Sequence, residues 1–300
     1  MKLLLLGANG QVGHELARTL LPLGEVTTAA RHGAMVHADL AEASSLQAAL
    51  EACRPDWIIN AAAYTAVDRA ESEADLAHRV NGAAVGELAR WANAHDAALV
   101  HFSTDYVFPG QLERPLREDD PVDPINAYGA SKLAGEQAIG AAACNHLVFR
   151  TAWVYGNHGN NFLRTMLRLA ASRPELGVVD DQRGAPTWSR MLAELTTQAI
   201  AAVIREGWRE RSGIYHLSAR NETTWHGFAS RIFDRAAAAG RLDQPPLVKP
   251  VTTDAFPTPA RRPSYSVLDN RRFEAAFGLH VPSWERQLDL CMQDFHRPHD

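Results

Sequence analysis

Four leucines, Leu3–Leu6, run into Gly7-Ala8-Asn9-Gly10-Gln11-Val12-Gly13, and a helical pattern begins directly after them. An apolar run this short and this uniform reads as a strand buried on both faces, as strands of parallel sheets are. Glycine tolerates positive φ and lets the backbone come close to a ligand. The series Gly7, Gly10, Gly13 between strand and helix can therefore aim amide N–H groups at a pyrophosphate. The spacing is G-x-x-G-x-x-G, not the commoner G-x-G-x-x-G, and a plain strand-to-helix turn has the same form. The leucine run is too short for the apolar core of a secretion signal. No later stretch reaches the roughly 18–20 apolar residues of a membrane span.

The same alternation continues along the chain. Short apolar runs recur at 2–6, 25–29, 56–60, 97–103 and 146–150, separated by helical periodicities such as Leu46-Leu50 and Leu76-Val80-Val85-Leu88-Trp91. Strands alternating with helices predict an α/β fold, a doubly wound parallel Rossmann-like sheet. Past residue 155 prolines multiply, and 244–263 reads as an irregular loop, with helices expected near 160–172, 189–206, 224–240 and 283–295. We expect a dinucleotide-binding domain over 1–150 and a smaller α/β substrate-binding subdomain over 151–300, some of whose segments return to the sheet. Hydrophobic residues at 46% and charged residues at 22% exclude a disordered or collagen-like chain. Thirty Lys+Arg against thirty-five Asp+Glu disfavour a nucleic-acid partner. Three cysteines, at 53, 144 and 291, make no disulfide framework and suit a reducing compartment, so a cytoplasmic protein is expected.

Two further features carry chemistry. Where many dinucleotide folds place an acid after the second strand, this chain has Ala30-Arg31-His32. A guanidinium there could take a 2′-phosphate, which tilts the cofactor toward NADPH and leaves NADH open, although a solvated surface arginine fits as well. Asp39-Leu40 follows the next short strand, either as an adenine neighbour or with Asp39 as a helix cap. Tyr128-Gly129-Ala130-Ser131-Lys132 puts a phenol and an ammonium on one helix face. A nearby ammonium favours the phenolate, so Lys132 should lower the Tyr128 pKa toward a useful range. Thr104, at the end of the strand over 97–103, could orient a substrate carbonyl beside that tyrosine, or simply cap the following turn.

Together with Asn60-Ala61-Ala62-Ala63-Tyr64-Thr65 and Ser103-Thr104-Asp105-Tyr106-Val107-Phe108, these motifs resemble the extended short-chain dehydrogenase/reductases. Arg150-Thr151-Ala152-Trp153-Val154-Tyr155-Gly156, Asp181-Gln182-Arg183-Gly184-Ala185-Pro186-Thr187 and Arg262-Pro263-Ser264-Tyr265-Ser266-Val267-Leu268 narrow the resemblance to the dTDP-4-dehydrorhamnose reductase family. It covers essentially the whole chain.

The resemblance implies reduction of the C4 ketone of dTDP-4-dehydro-L-rhamnose, a small-molecule dTDP-deoxysugar, with NADPH or NADH as hydride source. It implies Tyr128 as proton donor, Lys132 on the nicotinamide ribose and Thr104 on the carbonyl oxygen. Gly10, Gln11 and Val12 would hold the phosphates, Asp39 and Leu40 the adenine, and Ala63, Tyr64 and Thr65 the middle of the cofactor. Asp105 and Trp153 would touch the deoxysugar nucleotide, while Trp153 could equally be core packing. Asn81 is implied to be structural. Some relatives form a homodimer through a magnesium ion held by acidic side chains. Here Glu15 is present but the second position is Arg190, so no metal is expected. A dehydratase would carry a glutamate after the threonine and aspartate, where this chain has Tyr106. An epimerase of the same superfamily, or a non-catalytic regulatory subunit such as the beta subunit of methionine adenosyltransferase, remains an alternative. Intact Thr104, Tyr128 and Lys132 argue against the regulatory reading.

Overall fold

A computed structural model of the chain describes residues 1–295; residues 296–300, the end of the expected substrate subdomain, lie outside the described residues. The chain runs β1 (Lys2–Leu6), α1 (Gln11–Thr19), β2 (Glu25–Ala30), β3 (Val36–His37), α2 (Ala43–Cys53), β4 (Trp57–Asn60), α3 (Val67–Ala70) and α4 (Ala74–His78). It continues through α5 (Ala84–Ala94), β5 (Ala98–Thr104), α6 (Ala127–Ala142), β6 (Asn145–Thr151), β7 (Val154–Tyr155) and α7 (Phe162–Ala170). Then follow β8 (Glu175–Val179), β9 (Arg183–Gly184), β10 (Thr187–Trp188), α8 (Ser189–Glu206), β11 (Gly213–His216) and β12 (Thr223–Thr224). The chain closes with α9 (Trp225–Ala238), β13 (Leu247–Val251), α10 (Arg271–Phe277) and α11 (Trp284–Gln293).

Seven strands form one parallel sheet in the order β11-β6-β5-β4-β1-β2-β3. The leucines of β1 show why it is central. Leu3 and Leu5 belong to the apolar cluster under α1 and α8, while Leu4 and Leu6 join the opposite cluster under α2, α5 and α6. Successive strand residues face opposite sides, so a two-sided core needs an unbroken apolar run. A third cluster, with Phe228, Ile232, Trp284 and Leu288, packs α7, α9 and α11 together at the carboxyl end of the sheet.

Three local expectations are corrected. The helix read through Leu76–Trp91 is interrupted by a π-helical turn at Arg79–Ala83, a one-turn widening that side-chain periodicity barely registers. The 244–263 stretch is not all irregular: β13 lies within it and pairs in parallel with β8, itself unforeseen. Pro250 sits inside β13, which is tolerated because this two-stranded sheet asks little of its N–H groups. β11, which lacks an unbroken apolar run, was also unforeseen; its place beside β6 is settled by packing of Tyr215 against Phe149 and Phe277.

Candidate active site

The glycine turn is built for close approach. Gly7 has φ +78°, and a Cβ there would lie 2.5 Å from the Ala62 amide nitrogen. At Gly13 a Cβ would fall 2.1 Å from the Gly7 carbonyl oxygen, so only glycine lets α1 seat on the turn. Gly10 is the N-cap of α1 and no side chain caps this helix, which has no acid in its first turn. The first-turn amides of Gln11, Val12 and Gly13 are thus left to a ligand. A helix N-terminus with free N–H groups suits a phosphate, and these residues fit the dinucleotide expected of them. Gln11 accepts a hydrogen bond from Asn161 at 2.9 Å, and His158 contacts the Asn9 carbonyl, so the loop after β7 reaches over the turn.

At the carboxyl end of β2, Arg31 is exposed, and its guanidinium has no partner among the described residues. Asn9 donates to the His32 carbonyl and pins this loop to the glycine turn. Asp39 accepts from the Ala41 amide at 2.9 Å, a local turn; the cap position of α2 is Glu42 instead. Leu40 is buried in the core beneath that turn. Ala63, Tyr64 and Thr65 form the loop after β4. Asn81, from the π-helical turn, holds both backbone groups of Tyr64 and also donates to Ser131 of α6 at 2.9 Å. Tyr64 donates its hydroxyl to Glu73 at 2.7 Å, which with burial raises its pKa.

The catalytic candidates meet where β5 ends against α6. Thr104 Oγ1 donates to Asp105 Oδ1 at 3.0 Å and accepts from the Tyr106 amide at 3.2 Å. Thr104 is close enough to Tyr128 to lower its pKa, and the Tyr128 ring packs edge-on to Tyr106 with centroids 5.7 Å apart. The expected effect of Lys132 on Tyr128 is not found. Burial pushes the Tyr128 hydroxyl up to about 12, and the Asp105 charge adds to that, while Thr104 pulls the other way. Tyr128 is therefore held protonated, the state a proton donor needs. The reason is that desolvation acts on the whole phenol, whereas the ammonium is engaged elsewhere. Lys132 Nζ donates to the Phe102 carbonyl at 2.6 Å and lies 3.2 Å from His101 Nε2. Burial draws Lys132 down to about 8, partly opposed by Glu136. Asp105, also buried, is pushed up to about 6 although its polar neighbours Ser266, Thr104 and Tyr106 pull it down; Thr104 donates to its Oδ1, and its Oδ2 has no partner.

Trp153 occupies the left-handed region, φ +48°, which is a true outlier for a bulky side chain. Its indole stacks on Trp225 at 3.6 Å and 7°, and Trp225 in turn donates to Gln182. A Cβ on Gly184 would lie 2.4 Å from the Trp153 ring, so this glycine makes room for it. Strained backbone held by surrounding packing is a mark of functional positions.

Sequence reasoning missed the residues that support this set. Arg262 clamps Asp68 across the cleft with hydrogen bonds of 3.0 Å, and Ser266 backs Asp105. His101 was visible as a histidine within an apolar central strand, and that mismatch was the available signal. Among the described residues no cluster of three or more His, Cys, Asp or Glu could hold a metal. Arg190 donates to Glu15 at 3.2 Å and also bonds Asp294. No helix among the described residues is long and apolar enough to cross a membrane.

Comparison with known proteins adds to this geometry. The family model described as the RmlD substrate binding domain matches residues 1–297. The dTDP-4-dehydrorhamnose reductase of Burkholderia thailandensis is 47% identical over 298 residues, 98% of this chain and 99% of that one. The Salmonella typhimurium protein of the same name is 45% identical, covering 95% of each chain. Among solved structures, the dTDP-4-dehydrorhamnose reductase of Bacillus anthracis in complex with NADP superposes with a TM-score of 0.88 at 35% identity. It covers 98% of this chain and 99% of its own.

Proposed function

Because this chain belongs to the dTDP-4-dehydrorhamnose reductase family, we propose that its cleft reduces the C4 ketone of dTDP-4-dehydro-L-rhamnose to dTDP-L-rhamnose, with Tyr128 as the proton donor. The chain is an NAD(P)H-dependent oxidoreductase. NADPH, when bound, supplies the hydride. We assign the amides of Gln11, Val12 and Gly13 to its pyrophosphate, with Gly7 and Gly10 shaping the turn, Arg31 to its 2′-phosphate, and the loop Ala63–Thr65 to its middle. Asp39 and Leu40 are assigned to the adenine side. In this reading residues 1–150 hold the dinucleotide and 151–300 the substrate, and the enzyme works in the cytoplasm, alone or as a homodimer.

One observation carries the reading: a phenol kept protonated by burial stands beside the Thr104 hydroxyl at the carboxyl end of the sheet, where open α/β sheets receive ligands. As negative charge develops on the ketone oxygen, Tyr128 supplies its O–H, and the Thr104 hydroxyl swings its proton from Asp105 Oδ1 to the same oxygen. Tyr128 then gives up its proton to the alkoxide. Lys132, one helical turn from Tyr128, would hold the nicotinamide ribose and, while protonated, offset the charge left on the phenolate. Asp105, with an unpartnered buried oxygen, binds a sugar hydroxyl, and Trp153 offers its indole face to the nucleotide sugar. The protein carries a net charge of −5, so both anionic ligands depend on local arginines and amides.

The test supplies the ketosugar with NADPH or NADH and follows nicotinamide absorbance. Oxidation coupled to appearance of dTDP-L-rhamnose is expected; no oxidation with either cofactor overturns the proposal. A tightly bound NAD⁺ that never exchanges would favour the epimerase reading instead.

A further inference from the structure

Behind Lys132 lies a polar chain buried beneath the cleft. His101 is fully buried on β5, with Nε2 3.2 Å from Lys132 Nζ and Nδ1 3.1 Å from Asn60 Nδ2. Asn60 is buried too, and its orientation is fixed: the Ala62 amide donates to Asn60 Oδ1 at 3.2 Å. The amide nitrogen of Asn60 therefore faces His101, and an amide nitrogen only donates. Nδ1 must accept. Burial and the Lys132 charge keep the His101 ring well below its ordinary pKa, so it is neutral and carries its one proton on Nε2. That N–H points at the lysine nitrogen. Against an ammonium it meets a donor with a donor; against an amine it is accepted by the lone pair.

We propose that His101 is a positioning residue for Lys132: oriented by Asn60, it presents its Nε2–H to the lysine nitrogen, fixes its place and disfavours its charged form. The two remaining hydrogens of the amine are then free for the Phe102 carbonyl and for the cleft. Other charged groups around Lys132 are Glu136 one turn on, Arg150 of β6 bonded to it, Asp105 after β5, and Tyr128 one turn back. From the layer opposite, uncharged Asn81 meets α6 through Ser131. The charged side chains Asp75, His78, Arg79, Glu87 and Arg90 line a surface groove beside Ala134. Burial holds the lysine down and Glu136 favours the ammonium, so the lysine charge changes at about 8, close to the working pH range. Burial acts in the same direction as His101.

This inference rests on the role assigned to Lys132 above, and its test separates the two. In protein with nitrogen-15-labelled histidine rings, NMR should find His101 protonated on Nε2 and bare on Nδ1 throughout the neutral range. A proton on Nδ1, or a charged ring, overturns the proposal whatever the activity. In the pH profile of kcat/KM, His101→Phe should move the alkaline limb up by about one unit, tenfold in proton concentration. Asn60→Asp gives Nδ1–H an acceptor and frees the Nε2 lone pair for the ammonium, so it should move the same limb upward with the imidazole retained. An unmoved limb in both variants, with only kcat reduced, marks a merely structural histidine. Should His101→Phe fail to fold, the NMR result and Asn60→Asp decide.

Discussion

Replacing Glu136 by Gln tests the buried layer on which the active site stands. Glu136 of α6 and Arg150 of β6 form a bidentate pair, Nε to Oε1 at 2.9 Å and Nη2 to Oε2 at 2.7 Å. Their side chains are 2% and 4% exposed. The guanidinium lies over the Phe108 ring at 5.0 Å, and its Nη1 already lacks a partner. The glutamine leaves that charge uncompensated in a buried site and sets an amide donor against a guanidinium donor. Breaking a buried pair from one side costs about 3–5 kcal/mol, against total stabilities of about 5–15 kcal/mol. For a chain of 300 residues that corresponds to a fall of about 5–8 °C in Tm. A functional consequence accompanies it. Glu136 raises the pKa of Lys132, which stands at about 8; without it the lysine loses its proton at lower pH, and the alkaline limb of kcat moves to the acid side. Urea unfolding followed by tryptophan fluorescence, with seven indoles as reporters, measures the first effect. An unchanged m-value would show that the denatured state is not the cause. A loss below about 1 kcal/mol, the value of an exposed pair, together with an unmoved pH profile, would refute the reasoning.

Three further outcomes are expected. Tyr128→Phe should lower kcat by about 10²–10⁴, the range for a lost general acid, while titration with NADPH shows nearly unchanged affinity; retained turnover excludes Tyr128 as the main donor. Arg31→Ala should raise KM for NADPH roughly tenfold and leave that for NADH nearly unaltered, and equal effects return Arg31 to the solvated surface. Asp105 has its pKa raised from 3.8 to about 6 by burial, so the folded state holds this proton more tightly and stability falls as pH rises from about 4 to 6. Asp105→Asn should therefore gain up to about 3 kcal/mol over the native protein at pH 7, with little gain near pH 4 and with weakened ketosugar binding. Denaturation curves at the two pH values check the sign.

Read alone, the sequence was sufficient wherever a contact is local. The Leu3–Leu6 run and the glycines that follow specify a central strand, a turn and a helix start, since steric limits at Gly7 and Gly13 act over a few residues. The four-residue step from Tyr128 to Lys132 fixes one helix face. β11 and β13, and the π-helical turn at Arg79–Ala83, were not legible: unlike β1 and β4, the two strands (Gly213-Ile214-Tyr215-His216 and Leu247-Val248-Lys249-Pro250-Val251) carry no unbroken apolar run, and their pairing is chosen by distant partners. The site divides in the same way. Thr104, Tyr128 and Lys132 stand on motifs, but His101 meets Lys132 across 31 residues of chain and Asn60 across 41. Arg262 reaches Asp68 across 194. The charge state of Tyr128 shows the difference most plainly. Helical spacing correctly places an ammonium one turn away, yet how far water is excluded depends on the order of strands and on what covers them. That exclusion, decided only by the tertiary structure, raises the phenol and turns the lysine toward Phe102 and His101.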